Sequence, residues 1–370
     1  MFLTVIILTT VVGLLVAAVI AVLGWRAVHR RRLAAVMAIR TPNGIVEQRF
    51  VRIGGVEQWI GIRGEDRANP VLLVLHGGPG SPYSVFTPLL RSWEKHFTVV
   101  QWDRRGAGRT LGRSGKPGVG ELTFDRMVDD GIEVAEFLRQ HLGKEKVVLL
   151  AGSMGTLVGT RLVQRRPDLF DAYVSTDCYV DMARNEAMGY QLALDRVRAA
   201  GNTKGVAALE RIGADPSRWD AAAWGVKMQW AMKTDPVSPN AMKLIFKLLL
   251  TSPEYSLRDV GHWLSGFGAV RDQMFSQFMA YDARHFGTSF QVPVFLFPGD
   301  QDVITLTSLA EEYYTELQAP AKGLVLIPNA SHFCAFTRPE EFLAALLGQV
   351  RPVIAASQPT AISQALKDGR

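Results

Sequence analysis

In the run Val147-Val148-Leu149-Leu150-Ala151-Gly152-Ser153-Met154-Gly155-Thr156, a buried strand leads straight into a serine flanked by glycines and then into a helix. Four apolar residues bounded by small ones suit a strand, and Leu157, Val158, Leu162 and Val163 follow at helical spacing. The serine therefore stands on a sharp turn that strains its backbone and lifts its hydroxyl above the sheet edge. Strand and helix pass closely there, so the residues two before and two after must be small. Here they are Ala151 and Gly155, and alanine departs from the strict Gly-x-Ser-x-Gly pattern by one methyl. A glycine-rich turn of this kind also serves as plain packing, so the case for chemistry depends on partners elsewhere.

A serine hydroxyl is a poor nucleophile at neutral pH. It needs a base to take its proton and a buried acid to orient and charge-stabilise that base. In a doubly wound sheet with a serine elbow these follow in the order serine, acid, histidine, on loops after late strands. The chain offers Gly299-Asp300-Gln301-Asp302 after an apolar run at 294–297, and Asn329-Ala330-Ser331-His332-Phe333 after another at 324–327. His332 is the candidate base and Asp302 the preferred acid. Asp300 is the alternative acid, with hydrogen bonding inside its own turn as its other reading. Asp177 and Asp181, after the strand near 172–175, remain outside candidates for the acid. Such a mechanism requires neither metal nor cofactor.

Acyl transfer also needs donors for a developing oxyanion. The elbow supplies the backbone N–H of Met154. The loop His76-Gly77-Gly78-Pro79-Gly80, after a strand at 71–75, supplies the N–H of Gly78, or failing that Gly77. A phosphate cradle would need Gly-Lys-Ser/Thr or Gly-x-Gly-x-x-Gly, and neither occurs. Asp103-Arg104-Arg105-Gly106-Ala107-Gly108-Arg109 reads as a structured turn bordering the site.

Around these loops, strands and helices alternate: a hairpin at 48–62, a strand at 71–75, a helix at 84–93, a strand at 98–102 and a helix at 124–142. This order implies an α/β fold with a mainly parallel sheet and helices on both faces. From about 182 to 286 the chain is rich in Ala, Met, Trp and Leu at helical spacing, which reads as a helical insertion. The expected organisation is a span at 1–25, a basic flank and linker at 26–45 whose connector begins near 33, and a first core part at 46–181. A helical cap at 182–288, a second core part at 289–350 and a loosely ordered polar tail at 351–370 complete it.

Phe2 to Trp25 is free of charge and covers about 36 Å as a helix, against a hydrocarbon core of about 30 Å. Arg26, Arg30, Arg31 and Arg32 follow it and nothing basic but the amino terminus precedes it, a pattern of an uncleaved anchor rather than a signal peptide. Basic residues favour the cytoplasmic side, which places the large domain there. With Arg40, these arginines supply five of the formal net charge of +6, so the rest of the chain carries no basic footprint for nucleic acid. The expected partners are a small-molecule or short peptide substrate, and membrane lipid through the helix and its arginine cluster. Two cysteines, Cys178 and Cys334, cannot build a disulfide framework.

The His76–Gly80 loop followed by the 103–109 turn resembles the front half of the prolyl aminopeptidase (proline iminopeptidase) family of α/β-hydrolases, over roughly 46–350. The resemblance implies a triad of Ser153, Asp302 and His332, an oxyanion hole from Gly78 and Met154, and a helical cap. Members usually carry glycine and tryptophan where this chain has Ala151 and Met154, and their caps carry glutamates for the substrate's amino group. Glu186, Glu210 and Glu254 lie in the insertion but read better as solvated helix charges. The implied activity is a membrane-anchored, aminopeptidase-like serine hydrolase. A carboxylesterase or lipase-like enzyme for small apolar acyl groups is the alternative, and a non-catalytic membrane-bound binding module the third reading.

Overall fold

The computed structural model describes residues 2–357. Eight strands form one sheet: β1 (Ile45–Ile53), β2 (Val56–Gly64), β3 (Val71–Leu75), β4 (Thr98–Asp103), β5 (Val147–Gly152), β6 (Phe170–Thr176), β7 (Val294–Leu296) and β8 (Lys322–Leu324). Their spatial order is β1-β2-β4-β3-β5-β6-β7-β8. The β1–β2 hairpin closes on Gly54 and Gly55, both at positive φ, the backbone a tight two-residue turn demands. β2 runs antiparallel to β4, and every pairing from β4 onward is parallel.

Strands β3 and β5 are buried on both sides, so their alternating residues feed two separate cores. Leu73, Leu75, Leu149 and Ala151 face one layer with Val134, Leu138 and Leu157, whereas Leu72, Val74, Val148 and Leu150 face another with Trp93, Phe97 and Phe342. The first layer is built by helices α3 (Phe124–Leu142) and α4 (Gly155–Arg165), which follow α1 (Phe2–Val36) and α2 (Gly108–Ser114). Thr123 caps α3 by accepting the Arg126 N–H, and Gly143 ends it in the left-handed conformation.

Five helices fill the stretch between β6 and β7: α5 (Met182–Ala199), α6 (Thr203–Ile212), α7 (Ala221–Thr234), α8 (Ser238–Thr251) and α9 (Leu257–Met279). α9 opens on a capping box between Ser256 and Asp259. β7 and β8 then complete the sheet with α10 (Thr307–Glu316) between them, and the short α11 (Cys334–Thr337), α12 (Pro339–Ala345) and α13 (Arg351–Ser357) follow, the last at the end of the described residues.

Several local expectations differ from the structure. The helix expected at 84–93 is two 3₁₀ segments, Tyr83–Leu89 and Trp93–Lys95, because Pro88 cannot donate into an α-helical ladder. The connector expected from residue 33 is helical to Val36: the chain holds no glycine or proline between Gly24 and Pro42, and its Ala, Arg and Leu residues favour helix. The strand expected at 324–327 pairs only over Lys322–Leu324, with an isolated bridge at Ile327. Of the tail expected at 351–370, the first seven residues are helical and the remainder lies outside the described residues. α1 is long and apolar enough to cross a membrane.

Candidate active site

The sheet's strand order reverses at β3, which has β4 on one side and β5 on the other. In open α/β sheets the crevice at such a switch, beyond the carboxyl ends of the strands, is where ligands bind. The His76–Gly80 loop leaves β3 there, and Ser153 leaves β5.

Ser153 sits at φ +53, a left-handed conformation that L-residues adopt under constraint. The close passage of strand and helix is visible at Gly155, where a Cβ would lie 2.5 Å from the Leu75 carbonyl oxygen. Ala151, the departure from the strict elbow pattern, is accommodated across the interface by Gly159 of α4, where a Cβ would fall 2.8 Å from the Ala151 methyl. Glycine at 159 is the signal in the sequence that the alanine is tolerated.

His332 Nε2 lies 3.0 Å from Ser153 Oγ, and His332 Nδ1 lies 3.0 Å from Asp302 Oδ2. Asp302 is held in turn: its Oδ1 accepts the N–H groups of Ile304 at 2.8 Å and Thr305 at 3.0 Å, and its Oδ2 accepts the Thr305 hydroxyl at 2.6 Å. Asn185 of α5 clamps the same loop, donating to the Ile304 carbonyl and accepting the Leu306 N–H. Asp300 does something else. Its carboxylate accepts the N–H groups of Asn329 and Ala330, each at 3.1 Å, tying the acid loop to the histidine loop.

Of the two outside candidates, Asp181 caps α5 through the Arg184 N–H, while Asp177 joins the site. Asp177 stands at φ +48 just past β6 and accepts the Phe333 N–H at 3.0 Å. Asp177, Asp302 and His332 each bring one ligand-capable atom within 4.8 Å of the others, a spacing a cation could bridge. N–H and O–H donors already engage these carboxylates, so hydrogen bonding satisfies the cluster without an ion.

Electrostatics follow from the burial of all three. For His332, burial favours the neutral ring, but the carboxylates of Asp302 and Asp177 outweigh it and push its pKa up to about 9. Burial raises Asp177 to about 6 despite the nearby imidazolium. Burial also works to raise Asp302, yet His332 and the Thr305 and Ile304 hydrogen bonds bring it below its ordinary value. Asp302 is thus the carboxylate held ionised, and Asp177 the one that holds a proton more readily.

The loop after β3 lies against the elbow: a Cβ on Gly77 would stand 2.6 Å from Ser153 Cβ. Arg104 shapes it by donating to the carbonyls of His76 at 2.6 Å and Gly77 at 3.0 Å, while its backbone N–H meets His76 Nε2 at 3.2 Å. Burial, and then the Arg104 charge, holds His76 well below its usual pKa, as a neutral acceptor. Gly78 lines the cavity beside Ser153 and His332, and Met154 opens the turn into α4.

That cavity has a volume of about 330 Å³ and is walled by Phe86, Trp224, Met228, Met232 and Trp263 among others. Among the described residues lining it there is no carboxylate. The glutamates of the insertion explain why. Glu210 pairs at the surface with Arg198, as a solvated helix charge should. Glu186 and Glu254 do not fit that expectation. Glu186 is fully buried, with Lys227 Nζ 2.8 Å from its Oε2 and the Asn185 amide on its other oxygen. Glu254 is tucked against Arg63 at 3.5 Å. Their partners lie far along the chain, so spacing alone could not reveal them.

A family model described as alpha/beta hydrolase fold matches residues 70–339. The chain is 28% identical over 317 residues to the probable aminopeptidase YbaC of Bacillus subtilis, covering 84% of this chain and 98% of that relative. Among solved structures, the proline iminopeptidase-related protein of Thermus thermophilus is similar with a TM-score of 0.56 and 24% identity, over 84% of this chain and 99% of that one. A membrane phospholipase A described as a bacterial virulence factor is similar with a TM-score of 0.57 and 19% identity, over 94% of this chain and 98% of that one. At such identities these two structures speak to the fold alone.

Proposed function

This chain belongs to the α/β-hydrolase fold family and resembles its prolyl aminopeptidases, and from that premise we propose that it is a membrane-anchored serine hydrolase working through an acyl-enzyme. The observation that carries the reading is the unbroken hydrogen-bonded chain from Asp302 through His332 to Ser153 Oγ at the wall of an apolar cavity. Ser153 Oγ attacks the acyl carbonyl as His332 Nε2 takes its proton. Asp302 stabilises the imidazolium, and the N–H groups of Gly78 and Met154 receive the oxyanion. Collapse of the tetrahedral intermediate expels the alcohol or amine, protonated by His332. Water then repeats the sequence on the acyl-enzyme.

For the substrate, the cavity favours the ester of an apolar acid. A free α-amino group is cationic at neutral pH, and burying it against Met and Trp side chains without a carboxylate is costly. The aminopeptidase reading is kept as second, because the relative that aligns along nearly its whole length is named a probable aminopeptidase. In the membrane part of the reading, the helix from Phe2 to Trp25 crosses the bilayer with the folded domain on the cytoplasmic side, a reading supported by the length of the apolar helix and the arginines that follow it. Covalent labelling by a fluorophosphonate probe tests the nucleophile. Labelling of the full chain that disappears in Ser153→Ala is expected, and labelling that persists identifies another residue.

A further inference from the structure

We propose that the corner between α8 and α9 rests on the lipid bilayer, so that the cavity at Ser153 opens toward lipid and its substrate is an acyl ester dissolved in the membrane. This rests on the anchor and ester-hydrolase readings above.

The placement starts from two arginines. In a helix whose apolar run ends at Trp25, Arg26 and Arg30 mark the level of the headgroups. Neither faces away from the protein. Arg26 donates to the Tyr255 carbonyl at 2.9 Å, and Arg30 donates to the carbonyls of Ser252 at 2.6 Å, Pro253 at 2.7 Å and Tyr255. These carbonyls are the link from α8 to α9. The link is therefore fixed at headgroup level by the same groups that define that level.

From this corner the two helices carry apolar side chains into open space. On α8, Lys243, Phe246, Lys247 and Leu250 share one exposed face at i, i+3, i+4 and i+7, while Ile245, Leu248 and Leu249 are buried on the other. Phe246 is 52% exposed. Phenylalanine and leucine interleaved with lysine suit a helix lying in the interface, apolar groups inward and ammonium groups reaching the phosphates. On α9, Leu257, Leu264 and Phe267 are exposed, Leu264 at 53%. Leu264 and Phe267 also line the cavity, so the apolar patch is continuous with its mouth. A patch of this kind marks an interaction surface, and the packing of α1 against α8, with Arg26 and Arg30 held on the α8–α9 link, makes the occupant lipid.

The test uses the full chain in vesicles of phosphatidylcholine and phosphatidylglycerol, with an environment-sensitive dye on Phe246→Cys and, separately, on Leu14→Cys. Cys178 and Cys334 are buried, and unsubstituted protein sets the background. Quenching of both dyes by brominated lipid is expected. Quenching at 14 but not at 246 overturns the inference and leaves the anchor reading standing; no quenching at either overturns both. A dye at 246 that responds to protein density rather than to brominated lipid assigns the face to a second copy of the chain and overturns the lipid assignment. In the kinetic arm, Phe246→Asp with Leu250→Asp should lower hydrolysis of a bilayer-dissolved long-chain ester by about tenfold. A water-soluble butyrate ester should be hydrolysed at an unchanged rate. An equal effect on both esters, or none on either, rejects access from the membrane.

Discussion

The Asp177 carboxylate accepts the backbone N–H of Phe333 at 3.0 Å, which ties the residue after His332 to the end of β6. Asp177 thereby acts on the histidine in two ways, by fixing its loop and by adding a second negative charge beside an imidazole already paired with Asp302.

Asp177→Asn separates these effects. Asparagine keeps the size and an acceptor for the Phe333 N–H but removes the charge. The His332 pKa of about 9 owes part of its rise to Asp177, so it should fall in the variant. Loss of that proton makes His332 a base, so the limb of kcat/KM that rises with pH should move to lower pH. A limb that stays in place would show that Asp177 is neutral in the working enzyme. The same pKa has a stability consequence. The folded state binds the His332 proton more tightly than the unfolded chain, so this contribution is complete below about 6.5 and lost as pH rises through about 9.

The two acids of the 299–302 turn should behave differently. Asp302→Asn leaves His332 without its charged partner and is expected to lower kcat by roughly 10³–10⁴-fold with little change in KM. Asp300→Asn weakens two loop-to-loop hydrogen bonds and should cost about 1–2 kcal/mol of stability, read by denaturant unfolding. Its kcat should stay within several-fold of the parent. Reversed effects would exchange the roles of the two residues.

The elbow and the acid loop were legible because each couples an apolar strand to a local turn whose chemistry is written in adjacent residues, and the histidine loop because it follows the apolar run 324–327, although the strand there pairs only over Lys322–Leu324. The sheet was legible for the same reason: β3 and β5 are short, continuous apolar runs. What could not be read depends on distant partners. Asp177 is followed by nothing that marks it, and it acquires meaning only when the β6 end and the histidine loop meet. Glu186 looks like any helix charge until α7 brings Lys227 to it, and the Ala151 departure is explained only by Gly159 across the strand–helix contact. The corner held by Arg26 and Arg30 joins residues more than two hundred positions apart.

The Lys227–Glu186 pair is wholly buried, so its two members should be unequal to their sum. Lys227→Met strands an anionic carboxylate in the cap beside the Asp302 loop. A loss of about 3–5 kcal/mol is expected, seen as a Tm lower by roughly 5–10 °C. Lys227→Met combined with Glu186→Leu removes both charges and should recover most of that loss. A double variant as unstable as the single one would show that the pair specifies the packing of α5 on α7 rather than merely neutralising itself.

The cavity wall makes the last distinction, between acyl esters and aminoacyl amides. Each methylene buried in an apolar site contributes about 0.8 kcal/mol, so kcat/KM for a series of straight-chain esters should climb about fourfold per added carbon until the cavity is filled. An aminoacyl amide of equal size brings an ammonium group to a surface with no carboxylate among the described residues that line it. Glu186 cannot answer it, since Lys227 already occupies that carboxylate. Amino-bearing substrates should therefore be hydrolysed more slowly than their N-acylated counterparts, and Glu186→Gln should leave the ratio of the two unchanged. A preference for the free amine that Glu186→Gln abolishes would mean that the lysine gives way to substrate, and would restore the aminopeptidase reading.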